Sequence, residues 1–110
     1  MEKKKVIIKR ADEPYGHVTN ISDTLENLQV IVGGHIEVAG MLGEDVILCN
    51  EEGKLMSLLP NMPIGRGGHM DMLVGDLIVI GAVGDEFGDV HLTFQEWKRF
   101  VDESWKEWNS

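Results

Sequence analysis

The residues of this chain that are most capable of chemistry lie close together, in the segment PNMPIGRGGHMDMLVGD at residues 60–76. His69 and Asp71 form a His-x-Asp pair, which could supply two ligands to a metal ion. A metal site needs three or four ligands at a recognisable spacing, so we predict none here. The glycine-rich run around Arg66 resembles a phosphate loop in composition only, because no strong strand pattern precedes it.

The same segment contains two prolines and four glycines, and we expect it to be the longest irregular region of the chain. Binding residues are often held on loops by a rigid scaffold. If this loop binds a small ligand of the nucleotide type, we expect Asn61, Arg66 and His69 to hold it, at an oligomer interface. The alternative is an ordinary connection whose methionines fill gaps in the core.

Other parts of the sequence lack the patterns of known catalytic sites. The four histidines form no i, i+3 or i, i+4 pair on a predicted helix, and no nucleophile elbow, Walker A loop or dinucleotide-binding fingerprint is present. Cys49 is expected to share the inward side of a strand with Ile47, where a thiol is inert. Glu51 and Glu52 are expected at a solvated hairpin tip. We therefore predict no catalytic residues, no cofactor and no enzymatic activity.

Length and composition favour a single domain over residues 1–110. The chain is 43% hydrophobic and 26% charged, which is typical of a folded globular protein. Its single cysteine suits a reducing compartment. The longest apolar run, near Leu77 to Val83, is far shorter than the roughly 20 residues of a membrane span. With no signal-peptide pattern at the start, we expect a cytoplasmic protein that does not enter a membrane.

The net charge of −9 opposes direct binding to nucleic acids, whose phosphates attract basic proteins. An acidic surface can attract a basic protein partner, or it can simply keep the protein soluble. The lysines near the N-terminus are best interpreted as part of a solvated edge strand over Val6–Lys9, where they deter pairing with another chain.

The stretch IVGGHIEV, residues 31–38, marks the end of a predicted helix over about 23–32. Ser22 or Asp23 is expected to cap its start, with Glu26 completing a capping box. Gly33 or Gly34 would provide the left-handed residue that ends it. A strand follows at Ile36–Val38. The competing interpretation, a ligand loop around His35, is less favoured because the glycines follow a helix rather than a strand.

Further strands are predicted on both sides of the glycine-rich segment. Val46–Cys49 and Leu55–Leu58 are expected to form a hairpin around the turn Asn50–Gly53. The run DLIVIGAVGD indicates a central strand covered on both faces. The residues between the first strand and the helix, ADEPYGHVTN, are expected to form a loop or an irregular edge.

The last element is predicted to be a helix over about 93–108. Thr93 and Glu96 have the spacing of a capping box. Trp97 and Val101 should pack on the sheet. Trp105 and Trp108 lie near the free end, where we expect them to contact a partner or close a homodimer. The alternative is that the whole face covers the sheet.

Three stretches taken together resemble a known family: LENLQVIVGGHIEV, VILCNEEGKLMSLLPN and GDLIVIGAVGDEFGDVHLT. In this order and spacing they are similar to the DUF3846 family, small proteins of unknown function found largely in phages, plasmids and integrative elements of bacteria. The resemblance covers about Leu25 to Thr93. It implies a mobile-element origin and an intracellular setting, and it offers no catalytic residues to transfer.

These patterns predict an α+β fold, with a mixed and mostly antiparallel sheet of about four or five strands covered by the two helices. Our first functional hypothesis is a non-enzymatic binding protein that acts on a host protein through its acidic surface and its Trp-bearing helix, with a regulatory or anti-defence role. The alternative is a protein that binds or sequesters a small nucleotide in the 60–72 loop.

Overall fold

The computed structural model describes residues 2–66 and 68–110, without the side chain of Arg66. The elements of this part of the chain are, in order, β1 Lys3–Lys9, β2 His17–Ser22, α1 Leu25–Val32, β3 Ile36–Leu42, β4 Asp45–Asn50, β5 Pro60–Arg66, β6 His69–Val74, β7 Leu77–Val83, β8 Glu86–Gly88 and α2 Phe94–Trp108.

Six of the strands form one open antiparallel sheet, in the order β2-β1-β7-β4-β3. The short strand β8 pairs with the end of β7. Strand β7 is central, as its continuous apolar sequence predicts. Strands β5 and β6 form a separate antiparallel pair. The α+β class is thus confirmed, while the predicted mixture of parallel and antiparallel pairs is wrong for the described strands.

Alternation of side chains along the strands gives the large sheet two buried faces. Ile7, Ile47 and Val79 point toward β5, β6 and α2, and we call this side the α2 face. Their neighbours Ile8 and Leu48 point to the opposite side, the α1 face, where Leu28 and Val32 of α1 cover them. Both faces are packed, which explains why β7 shows no polar alternation.

Local sequence patterns located both helices. The capping box of α2 is confirmed, because Thr93 Oγ1 accepts a hydrogen bond from Glu96 N and Glu96 Oε1 accepts one from Thr93 N. Gly33 ends α1 in the left-handed conformation, with φ 82°. The predicted N-cap of α1 is wrong, since Thr24 rather than Ser22 or Asp23 accepts the N–H of Asn27, at 3.2 Å.

The predicted hairpin of Val46–Cys49 with Leu55–Leu58 is also wrong. Strand β4 pairs with β3 along one edge and with β7 along the other. A strand has only two edges, so none remains for residues 55–58, which form turns and irregular backbone instead. The chain enters β4 from β3 through Gly43, whose φ of 63° suits the tight turn.

The segment expected to be irregular, residues 60–76, forms the β5–β6 hairpin. Its two prolines favour an irregular segment in the sequence, because proline is rare in the middle of a sheet. Here the sheet has two strands, and each has a free outer edge where no N–H is required. The expected loop at 11–20 likewise includes the start of β2, whose six residues pair with β1.

Candidate functional site

A groove with a volume of about 300 Å³ opens on the α2 face, between β3, β5 and α2. We call it the acidic groove. Residues 40–42 of β3 form one side, and Ile64 and Gly65 of β5 lie beside them. One side of α2, from Phe100 to Glu107, forms the opposite wall. Three elements that are distant in the sequence therefore meet in one concave surface.

The spacing along α2 decides which of its side chains reach the groove. Trp97 and Val101 are fully buried against the sheet, as predicted. One turn later Ser104 is 6% exposed and lines the groove. Phe100 stacks on Trp97, with ring centroids 5.7 Å apart, and borders the groove. Beyond Val101 the sheet no longer covers the apolar side of α2, and this side of the helix lines the groove.

Gly40 allows β5 to approach β3 closely at this point. A Cβ atom on Gly40 would lie 3.1 Å from Ile64 Cδ1, which is tighter than ordinary packing. Ile47 and Ile64 are buried beneath and make the floor of the groove apolar.

The α2 side of the groove carries two carboxylates, Glu103 and Glu107. They stand at i and i+4 on α2, where like charges destabilise a helix by about 0.2–0.5 kcal/mol. Within the described part of the chain, neither carboxylate forms an ion pair and the Ser104 hydroxyl makes no hydrogen bond. A bound cation would relieve the repulsion, and the hydroxyl could pair with a donor or acceptor of a bound molecule.

The two tryptophans predicted to contact a partner are placed differently. Trp105 is half-buried and packs against the core of the α2 face. Trp108 is 42% exposed. It follows Ser104 by four residues, so it lies one turn beyond the groove on the same side of the helix.

The predicted ligand residue Asn61 is 4% exposed, and its side chain bonds only inside the protein. Its Nδ2 donates to the carbonyl oxygens of Lys9 and Gly75, at 2.8 Å each. Its Oδ1 accepts a hydrogen bond from Lys9 Nζ, also at 2.8 Å. Asn61 thus ties β1 and the β6–β7 connection to the start of β5.

His69 lies at the opposite end of the same hairpin, where it pairs with Arg66 across the turn. Arg66 is five positions after Asn61 along β5, which corresponds to about 16 Å. His69 is exposed, and the Arg66 side chain is outside the described atoms. The structure therefore does not bring Asn61 and His69 together.

Lys9 is a buried charged residue that the sequence analysis treated as part of a solvated edge. It is 1% exposed, and burial lowers its pKa, with an opposing contribution from the charge of Glu13. Strand alternation provided the missed clue, since Lys9 follows Ile7 by two residues and shares its inward side.

Asp45 and His91 form a second polar cluster that the sequence analysis missed. Asp45 is fully buried, and its carboxylate accepts hydrogen bonds from the backbone N–H groups of His91 and Leu92. It also lies 2.8 Å from His91 Nδ1, and this hydrogen bond is the main cause that raises the pKa of His91. The carboxylate oxygen Oε2 of Glu44 lies 3.4 Å from His91 Nε2. The cluster fastens the segment before α2 to the β3–β4 turn.

The described residues contain no group of three or more His, Cys, Asp or Glu side chains that could hold a metal ion. Among the helices of residues 2–66 and 68–110, none is long and apolar enough to cross a membrane.

A match to a known protein family shows where the chain belongs. The domain of unknown function DUF3846 matches residues 3–103, and the chain belongs to this family. No curated protein and no solved structure matches it.

Proposed function

We propose that this protein is a non-enzymatic binding protein that holds a basic segment of a protein partner in the acidic groove. The observation that supports this most directly is the pair Glu103 and Glu107, two carboxylates without an ion pair among the described residues, beside an apolar floor. The aliphatic stem of a lysine or arginine would contact that floor while its charged end meets the carboxylates.

The size of the groove favours one or two side chains of a larger partner over a whole small molecule. A volume of about 300 Å³ is at the lower end of the range for ligand pockets. The net charge of −9 would accelerate encounter with a basic surface and repel anionic nucleotides and nucleic acids.

Trp108 would extend the contact beyond the groove. Partly exposed tryptophans are frequent energetic centres of protein interfaces, and a guanidinium or ammonium group can lie over the indole ring. The mobile-element setting implied by the family resemblance makes a host protein the expected partner, and a regulatory or anti-defence role remains part of this proposal.

Charge reversal tests the proposal. The double variant Glu103→Lys, Glu107→Lys and the single variant Trp108→Ala should lose proteins that the wild type captures from a bacterial lysate, as measured by quantitative mass spectrometry. The matched control is Glu51→Lys, Glu52→Lys, which makes the same charge change beyond the other end of β4, roughly 13 Å along the strand.

Circular dichroism and thermal unfolding should show that all of these variants remain folded, because the altered side chains are exposed. If the groove and control variants capture the same proteins in the same amounts as the wild type, the acidic groove is not the binding site.

A further inference from the structure

We propose that the basic segment is an extended strand, and that it binds by pairing its backbone with the outer edge of β3 at Gly40–Leu42. This inference rests on the proposed function and specifies how the partner is recognised: main-chain hydrogen bonds to the sheet edge, and a cationic side chain in the acidic groove.

Strand β3 is a terminal strand of the large sheet. It pairs with β4 only, and no backbone hydrogen bond joins its outer edge to another described residue. Such an edge presents a row of free N–H and C=O groups that can accept a further strand.

The sequence of β3 lacks two common devices that block pairing at an edge, because Ile36–Leu42 contains no lysine and no proline. Its one charged residue is Glu37, near the start of the strand, while Val38 and Met41 are exposed apolar residues. The one irregularity is a bulge between Val38 and Gly40, which interrupts the edge. The bulge confines regular pairing to residues 40–42, the same residues that border the acidic groove.

The register of β3 defines which side chains of an added strand would enter the groove. Gly40 is paired with Ile47, and Leu42 with Asp45, so both residues belong to the α2 face. Neighbouring strands lie about 4.8 Å apart, and directly opposed residues point to the same face. A residue opposite Gly40 would therefore point into the groove, toward Glu103 and Glu107.

Charge favours a basic partner over a second copy of this chain. Pairing of β3 with β3 of another copy would bring together two molecules of net charge −9, each with Glu103 and Glu107 beside Gly40–Leu42. The opposite edge of the sheet, at β2, pairs with the basic segment Lys3–Lys5, whose charge opposes the approach of a basic partner.

The test uses linear peptides selected on the immobilised full-length protein from a random display library. The selected sequences should carry one lysine or arginine at a fixed position among β-branched or aromatic residues. The best peptide is then synthesised as a series in which a single backbone nitrogen is methylated at each position in turn. Affinity is measured by isothermal titration calorimetry.

If the peptide adds a strand to β3, methylation should weaken binding at least tenfold at the positions whose N–H faces the edge. Methylation should have little effect at the alternating positions. Strand alternation directs the N–H of Met41, between Gly40 and Leu42, toward the open edge, so exchange of the Met41 amide should slow in the complex, while the β2 amides should not change.

Three other outcomes would overturn this inference, and they differ in what they say about the proposed function. Peptides that require Glu103 and Glu107 but tolerate methylation at every position would leave the basic-segment proposal intact and exclude strand pairing. The second outcome is that no selected peptide depends on Glu103 and Glu107, in which case both proposals fail. Size-exclusion chromatography with light scattering, performed without peptide, should show a monomer, and a dimer lost in Glu103→Lys would identify a second copy as the occupant.

Discussion

At the scale of single residues, the polar side chains with the most internal hydrogen bonds maintain the fold rather than form an open site. Both the nitrogen and the oxygen of the Asn61 side-chain amide form hydrogen bonds, and among the described residues no carboxylate lies within hydrogen-bonding distance of its partner Lys9. Burying an ammonium group costs free energy unless the group forms hydrogen bonds. The hydrogen bond from Lys9 to Asn61 therefore allows a lysine to be buried at this position.

Replacing Asn61 by alanine should lower the free energy of unfolding by about 3 kcal/mol. The change leaves the carbonyl groups of Lys9 and Gly75 without their donor and the Lys9 ammonium without its nearest acceptor. Urea unfolding measures the loss. Asn20→Ala, at an exposed position, is the control and should change stability by less than about 0.5 kcal/mol. A loss below about 1 kcal/mol for Asn61→Ala would mean that Asn61 is free to serve another role.

The contact between His91 and Asp45 should make stability depend on pH. The pKa of His91 is raised above its ordinary value of 6.5 in the folded state. The stabilisation is therefore fully present below pH 6.5 and is lost as pH rises through the folded-state pKa. His91→Gln should lower Tm more at pH 5.5 than at pH 8.5, in thermal scans at both values. His35→Gln, at an exposed position, controls for removal of a histidine. An equal effect of His91→Gln at both pH values would contradict the assignment.

Contacts of this kind could not be predicted from the sequence. Asp45 and His91 are 46 residues apart, and no local pattern connects them. Trp97 and Val101 were predictable, because helical spacing alone places them on one side of α2. Residue roles could therefore be inferred where they depend on a single element, and they required the structure where two elements meet.

At the scale of elements, the sequence predicted helices better than strand partners. The capping box of α2 and the left-handed Gly33 depend on residues within one turn. The partner of β4 depends instead on competition between β3, β7 and residues 55–58 for two edges. The tight turn at Gly43 favours β3 in that competition, and alternation of apolar residues alone cannot reveal this.

The β7–β8 hairpin provides a test of strand packing with a matched pair of glycines. Gly81 and Gly88 are directly paired, but a Cβ atom on Gly81 would lie 2.2 Å from the backbone oxygen of Asp89. Gly81→Ala should therefore cost about 2 kcal/mol or more, since backbone must move. Gly88→Ala meets open space and should be neutral or stabilise by up to about 1 kcal/mol. Chemical denaturation compares the two, and equal effects would show that the close approach at Gly81 is relieved without cost.

At the scale of the whole molecule, the acidic groove depends on how the two sheets and α2 are assembled. Glu103 and Glu107 look like ordinary solvated residues of a helix in the sequence. They become a candidate site because β5 crosses the α2 face beside β3. Of the residues predicted to contact a partner, Trp108 is next to this groove, while Trp105 packs mainly against the core. The charge of the molecule was predictable, but the concave surface that could use it was not.

The overall charge and the local groove should have separable effects on the kinetics of peptide binding. For the selected basic peptide, the association rate constant should fall about tenfold or more between about 20 and 200 mM salt, because steering by net charge is screened. The variants Glu103→Gln, Glu107→Gln and Glu51→Gln, Glu52→Gln lose the same total charge, so both should slow association modestly. Dissociation should accelerate only in the groove variant, because only there is a direct contact removed. Stopped-flow fluorescence measures both rate constants. Equal dissociation rates in the two variants would show that the glutamates of α2 attract the partner from a distance without touching it.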